Sequence, residues 1–325
     1  MKAIVYEKYG PPEVLQLKEV EKPIPKDNEV LVKVHAASVN FGDLPVLRGE
    51  PLQRLMGGGL LKPRHKILGD DIAGRVESVG GNVKQFQPGD EVFGLSNFGA
   101  FAEYRCVIED NLGLKPTNLS FEGAASVPMA ALVALQGLRD HGQIQSGGKV
   151  IIVGASGGVG TFAVQIAKSF GAEVIGVCST GKLDLVRSIG ADQVIDYTRE
   201  DFTKSGQRYD LILAAGGNYS ISEYRRALSS DGIYVCTGGS YAQYFIALLL
   251  GPLISTVGSK KLGAMYGNPN QKDWAYLKEL LEASKVVPVI DRRYPLSEVP
   301  EALRYLEGGH ARGKVVITIE HNNKN

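Results

Sequence analysis

Only three cysteines, Cys106, Cys178 and Cys236, occur in 325 residues, and no two of them stand in a Cys-x-x-Cys pair. A disulfide framework and a four-cysteine zinc site are therefore both out of reach, and a reducing, cytoplasmic compartment is expected. Net charge is nearly absent too: 36 Lys and Arg against 35 Asp and Glu leave +1. That balance gives no general pull toward nucleic acid or anionic lipid, so no nucleic-acid partner is expected and any bound anion must be captured locally. No uninterrupted apolar run reaches the ~20 residues of a membrane span, so no integral span is expected. The segment "YFIALLLGPLISTVG", residues 244–258, is broken by Gly251 and Pro252 and reads as a buried element, with an interfacial membrane contact as the alternative. The opening "MKAIVYEKYG" shows no basic stretch, apolar core or cleavage site of an export signal.

What is present is an ordinary globular composition, 44% hydrophobic and 22% charged, in a chain long enough for two cores. Roughly the first 115 residues carry short alternating patterns, "EVLVKVHAASV", "DIAGRVESVG" and "FAEYRCVI", punctuated by Pro and Gly turns, and read as a mostly antiparallel β domain. After the small-residue helical run "LSFEGAASVPMAALVALQGL" strand and helix alternate. The strands "KVIIVG", "AEVIGVC", "DQVIDY", "YDLILAA" and "GIYVCTGG" predict a parallel sheet covered on both faces. The tail reads as helix, strand, a capped helix beginning at Ser297 and a last strand, of a size to close the first domain.

Between "KVIIV" and the next helical pattern lies Gly154-Ala-Ser-Gly-Gly-Val-Gly160. Small residues at a strand-to-helix turn let the chain reverse sharply, let a ligand reach the main chain, and seat the helix close on the sheet. Alone, Ala155-x-Gly157-x-x-Gly160 is consistent with a mere tight turn. With a strand before it, a helix after it and "EVIGVC" at the expected distance, it predicts a dinucleotide site whose pyrophosphate faces the helix start. At the end of the second strand an NAD site places an acidic residue; here Cys178-Ser-Thr-Gly-Lys182 stands instead. With no carboxylate to repel a 2′-phosphate, and hydroxyls and a Lys to receive one, NADPH is favoured over NADH. Ser179 and Thr180 can also serve simply to cap the helix near Lys182.

The stretches "EVLVKVHAASVN", "LGDDIAGRVESVG", "QFQPGDEVFG", "GAFAEY", "GASGGVGTFAVQIAK", "GADQVIDY" and "GKVVI" together resemble the medium-chain dehydrogenase/reductase superfamily over nearly the whole chain. Within it they look most like the zinc-free quinone oxidoreductase branch, including the plant envelope and mitochondrial homologues. The resemblance implies an α/β protein: a GroES-like β-rich substrate domain from residues 1–120 and 266–325, and a Rossmann doubly wound parallel-sheet NADP(H) domain from residues 121–265. It also admits a homodimer joined through an edge strand of the central sheet, placed near "GIYVCTGG".

By the same similarity Ser156, Gly157, Gly158 and Val159 are expected to hold the pyrophosphate, and Ser179, Lys182 and Tyr197 the 2′-phosphate. The segments Ala214 to Gly216 and Thr237 to Gly239, Gly238 included, are expected to line the nicotinamide half, with His310, Ala311 and Arg312 returning toward the coenzyme. Arg312 reads equally as a solvated turn residue. Zinc alcohol dehydrogenases carry a catalytic metal on Cys, His and Cys; those places fall here at Asn40, Asp70 and about Ala130. Asn and Ala offer zinc none of its usual ligands and one carboxylate cannot hold it alone, so no metal is expected. Without a Lewis acid, alcohol oxidation is disfavoured and hydride delivery to a small apolar electrophile, a quinone or α,β-unsaturated carbonyl, is expected.

Asn40 is the candidate for touching nicotinamide ribose or substrate, against a plain backbone-turn role. Asp70 and Asp71 read as structural hydrogen-bonding residues in preference to a paired-carboxylate acid/base, and His35 as a core or sheet-face residue in preference to a catalyst. Residues 48–69, rich in Leu, Met and Gly, read either as a lid over an apolar substrate or as a surface loop with an apolar anchor. A non-catalytic NADPH-binding sensor and a residual alcohol dehydrogenase stay open as alternatives.

Overall fold

The computed structural model describes residues 1–239, 244, 246–247, 259–265 and 267–321. It divides into two compact units: Met1–Met129 with Pro269–Glu282 and Pro288–Asn325, and Ala130–Asn268 with Ala283–Val287. Most of the apolar stretch 244–258 lies outside the described residues.

Strands β1 (Lys2–Val5), β2 (Gln16–Glu19), β3 (Glu29–Val39), β4 (Asp71–Val79), β5 (Glu91–Leu95), β6 (Tyr104–Ile108) and β7 (Leu112–Leu114) open the first unit. The second contributes β8 (Lys149–Val153), β9 (Glu173–Cys178), β10 (Gln193–Asp196), β11 (Tyr209–Ala214), β12 (Leu228–Cys236) and β13 (Lys261–Ala264). The chain then returns to the first with β14 (Ile290–Pro295) and β15 (Lys314–Thr318).

In the first unit the sheet runs β14-β15-β3-β4-β5-β7 with β6 on β3, and β1 pairs separately with β2. All its pairs are antiparallel except β14 with β15. Val30, Val32, Val34, Ile72, Val92, Val315 and Ile317 build its core. The tail does close this unit, but its helix starts at Val299, after a short 3-10 turn, and no side chain caps it, so Ser297 is not its cap.

In the second unit β10-β9-β8-β11-β12-β13 are all parallel. Val150, Ile151, Ile152 and Val153 are all buried, as a strand covered on both faces requires. Because β8, β9 and β10 run one way across the sheet and β11 and β12 the other, the strand order reverses between β8 and β11. In open α/β sheets such a reversal is where a ligand crevice lies, outside the carboxyl ends of the strands. "GIYVCTGG" forms β12, which β13 covers, so it is not the sheet edge; among the described strands that edge is β13.

The unit boundaries also differ from 120/121 and 265/266. Helix Phe121–Ala125, capped by Ser120 Oγ accepting the Gly123 N–H at 3.1 Å, packs on β3, β4 and β15 through fully buried Ala124 and Ala125, so residues to Met129 stay with the first unit. Two amide clamps hold later residues in the second. Gln136 donates to the Asn268 carbonyl at 2.7 Å and accepts its N–H at 2.9 Å; Gln165 does the same for Val287 at 3.0 and 2.8 Å.

Candidate functional site

The glycine corner joins β8 to helix Gly158–Ser169. Gly154 turns it with φ +82°, a left-handed conformation that glycine adopts without a Cβ clash. The Gly154 and Ala155 N–H groups donate to the Val177 carbonyl at 3.1 and 3.0 Å, fastening the corner to β9. A Cβ on Gly160 would lie 2.1 Å from the Gly154 carbonyl oxygen, so bare backbone packs on bare backbone there. Gly157 stands at the N-cap with no side-chain cap, and its own N–H is spent on the Gly154 carbonyl at 3.1 Å. The N–H groups of Ser156, Gly158 and Val159 have no partner among the described residues. Unpaired donors at the positive end of a helix, in a notch that a side chain would fill, fit a pyrophosphate.

Around the same crevice the Ala215 N–H donates to Val153, and the Thr237 and Gly238 N–H groups both donate to Ala214, at 3.0, 2.9 and 3.2 Å. A Cβ on Gly154 would stand 3.1 Å from the Gly216 nitrogen. Thus Ser156 to Val159, Ala214, Gly216, Thr237 and Gly238 gather at the carboxyl ends of β8, β11 and β12. Ser179, Lys182 and Tyr197 follow β9 and β10; Tyr197 is 56% exposed. Ser179 occupies an N-cap position yet makes no side-chain cap bond, so the helix-capping role is not used.

A residue missed in the sequence lies beside them. Asp196, register partner of Cys178, accepts the Thr180 hydroxyl at 2.5 Å, and the Thr198 hydroxyl and N–H at 2.7 and 3.0 Å. These bonds, Thr180 first, hold its carboxyl below the usual range. Thr180 therefore spends its proton on this carboxylate, and the expectation that no carboxylate stands in this region is corrected: strand pairing brings Asp196 there. The signal was readable as the Asp in "QVIDY", but only strand pairing brings it to the end of β9.

His310, Ala311 and Arg312 belong to the first unit, on the turn before β15; His310 and Arg312 are exposed, and the Arg312 N–H donates to Asp291 at 2.9 Å. Asn40 is the polar end of a buried cluster in that unit. Ser38 faces Asp71 across β3–β4, and Val315 faces Val39 across β15–β3, which brings Lys314 beside Asn40. Asp71 Oδ2 accepts Ser38 Oγ at 2.6 Å, Asn40 Nδ2 at 3.0 Å and Lys314 Nζ at 3.0 Å, while Oδ1 accepts the Met129 N–H at 2.8 Å. Lys314 Nζ also donates to Asn40 Oδ1 at 2.6 Å. Asp71 is fully buried and Lys314 is 3% exposed.

Two family profiles match, an alcohol dehydrogenase GroES-like domain over residues 26–117 and a zinc-binding dehydrogenase over residues 189–317. The chain is 36% identical to the "NAD(P)H oxidoreductase RTN4IP1, mitochondrial" of Mus musculus, covering 98% of this chain and 89% of that one. It is 34% identical to the "NADPH-dependent alkenal/one oxidoreductase, chloroplastic" of Arabidopsis thaliana, covering 98% and 79%. A solved quinone oxidoreductase from Coxiella burnetii superposes with a TM-score of 0.85 at 32% identity, covering 98% and 99%. The chain belongs to the medium-chain dehydrogenase/reductase superfamily.

Zinc-dependent members of this superfamily give the cluster its meaning. Of the three places aligned with metal ligands, Asn40 is in the cluster, but the carboxylate facing it is that of Asp71. Asp70 instead accepts the Phe98 N–H at 2.5 Å. Near Ala130 the contribution is the Met129 backbone N–H, a donor and no ligand. A lysine ammonium on the Asp71 carboxylate, with one amide and one hydroxyl, does not fit zinc, which takes thiolate, imidazole and carboxylate donors. Among the described residues no group of three His, Cys, Asp or Glu could hold a metal.

Two neighbouring carboxyls of this superfamily member are shifted by their setting. Burial, then the Asp70 charge, pushes Asp43 up to about 8, although it accepts the Asn40 N–H at 2.8 Å; burial pushes Asp70 up to about 6. A carboxyl whose folded pKa exceeds its unfolded value contributes stability fully present below about 4, which is lost as pH rises through the folded pKa. Asp43→Asn is therefore expected to flatten the fall in stability between about pH 5 and pH 8.5, measured by urea midpoints. Equal slopes in both proteins would refute the assignment.

Elsewhere in the first unit, His35 stacks on Phe121 at 4.5 Å between centroids and packs edge-on to His321, a sheet-face residue as expected. In the 48–69 segment Tyr9 anchors a turn by donating to the Gly58 and Gly59 carbonyls at 2.6 Å, with Arg54 over its ring. Leu55, Leu60 and Leu61 are in solvent, while Leu68 at the end of the segment is fully buried in the core with Ile67 packed against it, so the segment has an apolar anchor as well as the tyrosine hydroxyl. Cys106, Cys178 and Cys236 are all unpaired. No helix among the described residues is long and apolar enough to cross a membrane.

Proposed function

We propose that this protein is an NADPH-dependent oxidoreductase that delivers hydride to a quinone or an α,β-unsaturated carbonyl without a resident zinc ion. The observation that carries the reading is the Asn40–Asp71–Lys314 cluster: in a member of a dehydrogenase superfamily with a coenzyme corner, Asn40, one of the three places expected to correspond to metal ligands, is held by a lysine ammonium. The activities in the names of the Arabidopsis and Coxiella proteins support it.

NADPH, when bound, supplies the hydride. The Ser156, Gly158 and Val159 N–H groups receive its pyrophosphate, with Gly157 leaving room. Ser179, Lys182 and Tyr197 receive the 2′-phosphate, and Ala214, Gly216, Thr237 and Gly238 line the nicotinamide half, with His310, Ala311 and Arg312 completing the set. Asn40 meets the acceptor. An acceptor already electron-poor needs far less help from a cation than an alcohol does. Unpaired cysteines agree with a cytoplasmic setting, and a homodimer through β13, an edge strand of the parallel sheet among the described strands, belongs to the same reading.

The test is stopped-flow mixing of NADPH-loaded protein with a panel of quinones and enals. Acceptor-dependent loss of nicotinamide absorbance is expected, and its absence with every acceptor would leave a coenzyme-binding protein. Lys182→Met should raise KM for NADPH about tenfold, the loss of one charge-assisted bond, and leave KM for NADH unchanged. A parallel rise in both would refute the 2′-phosphate role.

A further inference from the structure

The zinc-binding description of the matched family and the donor set of this chain disagree, and the disagreement has a positive content. We propose that the Lys314 ammonium stands in the place of the metal as the fixed cation of the site, and that it is a positioning residue for Asn40, whose remaining amide N–H meets the acceptor's carbonyl oxygen. The inference rests on the reductase reading above and deepens it.

Hydrogen-bond chemistry determines how the Asn40 carboxamide is turned. An ammonium only donates and an ionised carboxylate only accepts. With Lys314 Nζ at 2.6 Å on one side and Asp71 Oδ2 at 3.0 Å on the other, the amide oxygen must face the lysine and the nitrogen the aspartate. A flipped amide would set donor against donor and acceptor against acceptor. One Nδ2–H is thereby committed to Asp71, and the other has no partner among the described residues, on a residue that is only half-buried.

The same contact strengthens that free donor. A cation on an amide oxygen draws electron density from the nitrogen, so successive hydrogen bonds polarise one another in a site of low dielectric. Here the ammonium lies 3% exposed, in the setting where such polarisation is least screened. Asp71 balances its charge, and the Ser38 hydroxyl and Met129 N–H hold that carboxylate in place.

In the reduction, hydride addition at the acceptor's β-carbon shifts the alkene electron pair into the conjugated carbonyl. The negative charge that builds on the oxygen is met by the Asn40 N–H, and water supplies the proton that completes the saturated product. A single preorganised donor of this kind is worth on the order of a hundredfold in kcat.

The experiment compares wild type, Lys314→Met, Asn40→Ala, Asn40→Ala/Lys314→Met and Asp71→Asn/Lys314→Met, using 2-hexenal and either NADPH or NADPH dideuterated at C4. Lys314→Met is expected to lower kcat about a hundredfold with KM for NADPH unchanged, and to raise the deuterium isotope effect as hydride transfer becomes slower. In the Asn40→Ala background the lysine substitution should cost less than about threefold more, since its effect passes through the amide. Asp71→Asn/Lys314→Met leaves no orphan charge and guards against simple unfolding; it should show the same loss. Turnover of that double variant within about threefold of wild type, or additive losses for Asn40 and Lys314, would overturn the proposal.

Metal analysis of the wild type after dialysis against zinc chloride is an independent arm. Well under one equivalent is expected, and one equivalent bound would overturn the proposal whatever the kinetics. A wild type that reduces no acceptor defeats the reductase reading, and the metal analysis then decides the place of the cation by itself.

Discussion

Gly160→Val is expected to weaken NADPH binding on the order of a hundredfold, a displacement of about 1 Å being enough for that at a preorganised site. The reason is local. A Cβ at Gly160 would stand 2.1 Å from the Gly154 carbonyl oxygen and 2.7 Å from the Ala155 Cα, and backbone atoms cannot rotate aside as a side chain would. The helix must lift from β8, carrying the unpaired Ser156, Gly158 and Val159 donors with it. Stability should fall by the upper part of about 1–3 kcal/mol, the usual cost of overpacking. Gly81→Val is the control, since nothing lies within 4 Å of a Cβ there and the residue is exposed in the first unit. Fluorescence titration with NADPH measures both variants. Equal affinities for Gly160→Val and Gly81→Val would refute the ranking, and with it the reading of the corner as a steric cradle.

Asp71→Ala should destabilise the fold by about 3–5 kcal/mol, the effect of removing one partner from a buried ion pair. The substitution strands the Lys314 ammonium, 3% exposed, and takes the acceptor from Ser38 Oγ, Asn40 Nδ2 and the Met129 N–H together. Most other ion pairs of the chain are unlike it. Arg304–Glu13 has side chains 43% and 56% exposed, and pairs of that kind contribute about 0–1 kcal/mol. Urea unfolding of Asp71→Ala beside Glu13→Ala makes the comparison, and a loss below about 1 kcal/mol for Asp71→Ala would show that solvent reaches the cluster.

The two expectations rest on features of very different legibility. The glycine corner is readable because strand, turn and helix follow one another within twenty residues, and each is marked by its own local signal. β-Branched residues run from Val150 to Val153, glycines from Gly154 to Gly160, and an apolar helical pattern continues to Ser169. The unit boundaries were harder, since what keeps Asn268 and Val287 in the second unit is a pair of glutamine side chains more than a hundred residues away. Asp196 shows the same limit on a smaller scale: visible in the sequence, it joins the Cys178–Lys182 region only through strand pairing.

The tripeptide Gly-Lys-Val opens two strands of this chain and separates what each level determines. Gly148-Lys149-Val150 and Gly313-Lys314-Val315 are identical in sequence, and both correctly announce a buried strand, because the apolar run that follows is a property of adjacent residues. Local order likewise announced the α/β class, the succession of strands along the chain and the glycine corner. The fate of the lysines was not local. Lys149 lies beside Glu173 at 3.7 Å with its side chain 28% exposed, whereas Lys314 is sealed against Asp71 and Asn40, the latter 274 residues away. Only the register of β15 on β3 and of β3 on β4 decided that, since a strand slipped by one residue turns every side chain to the opposite face.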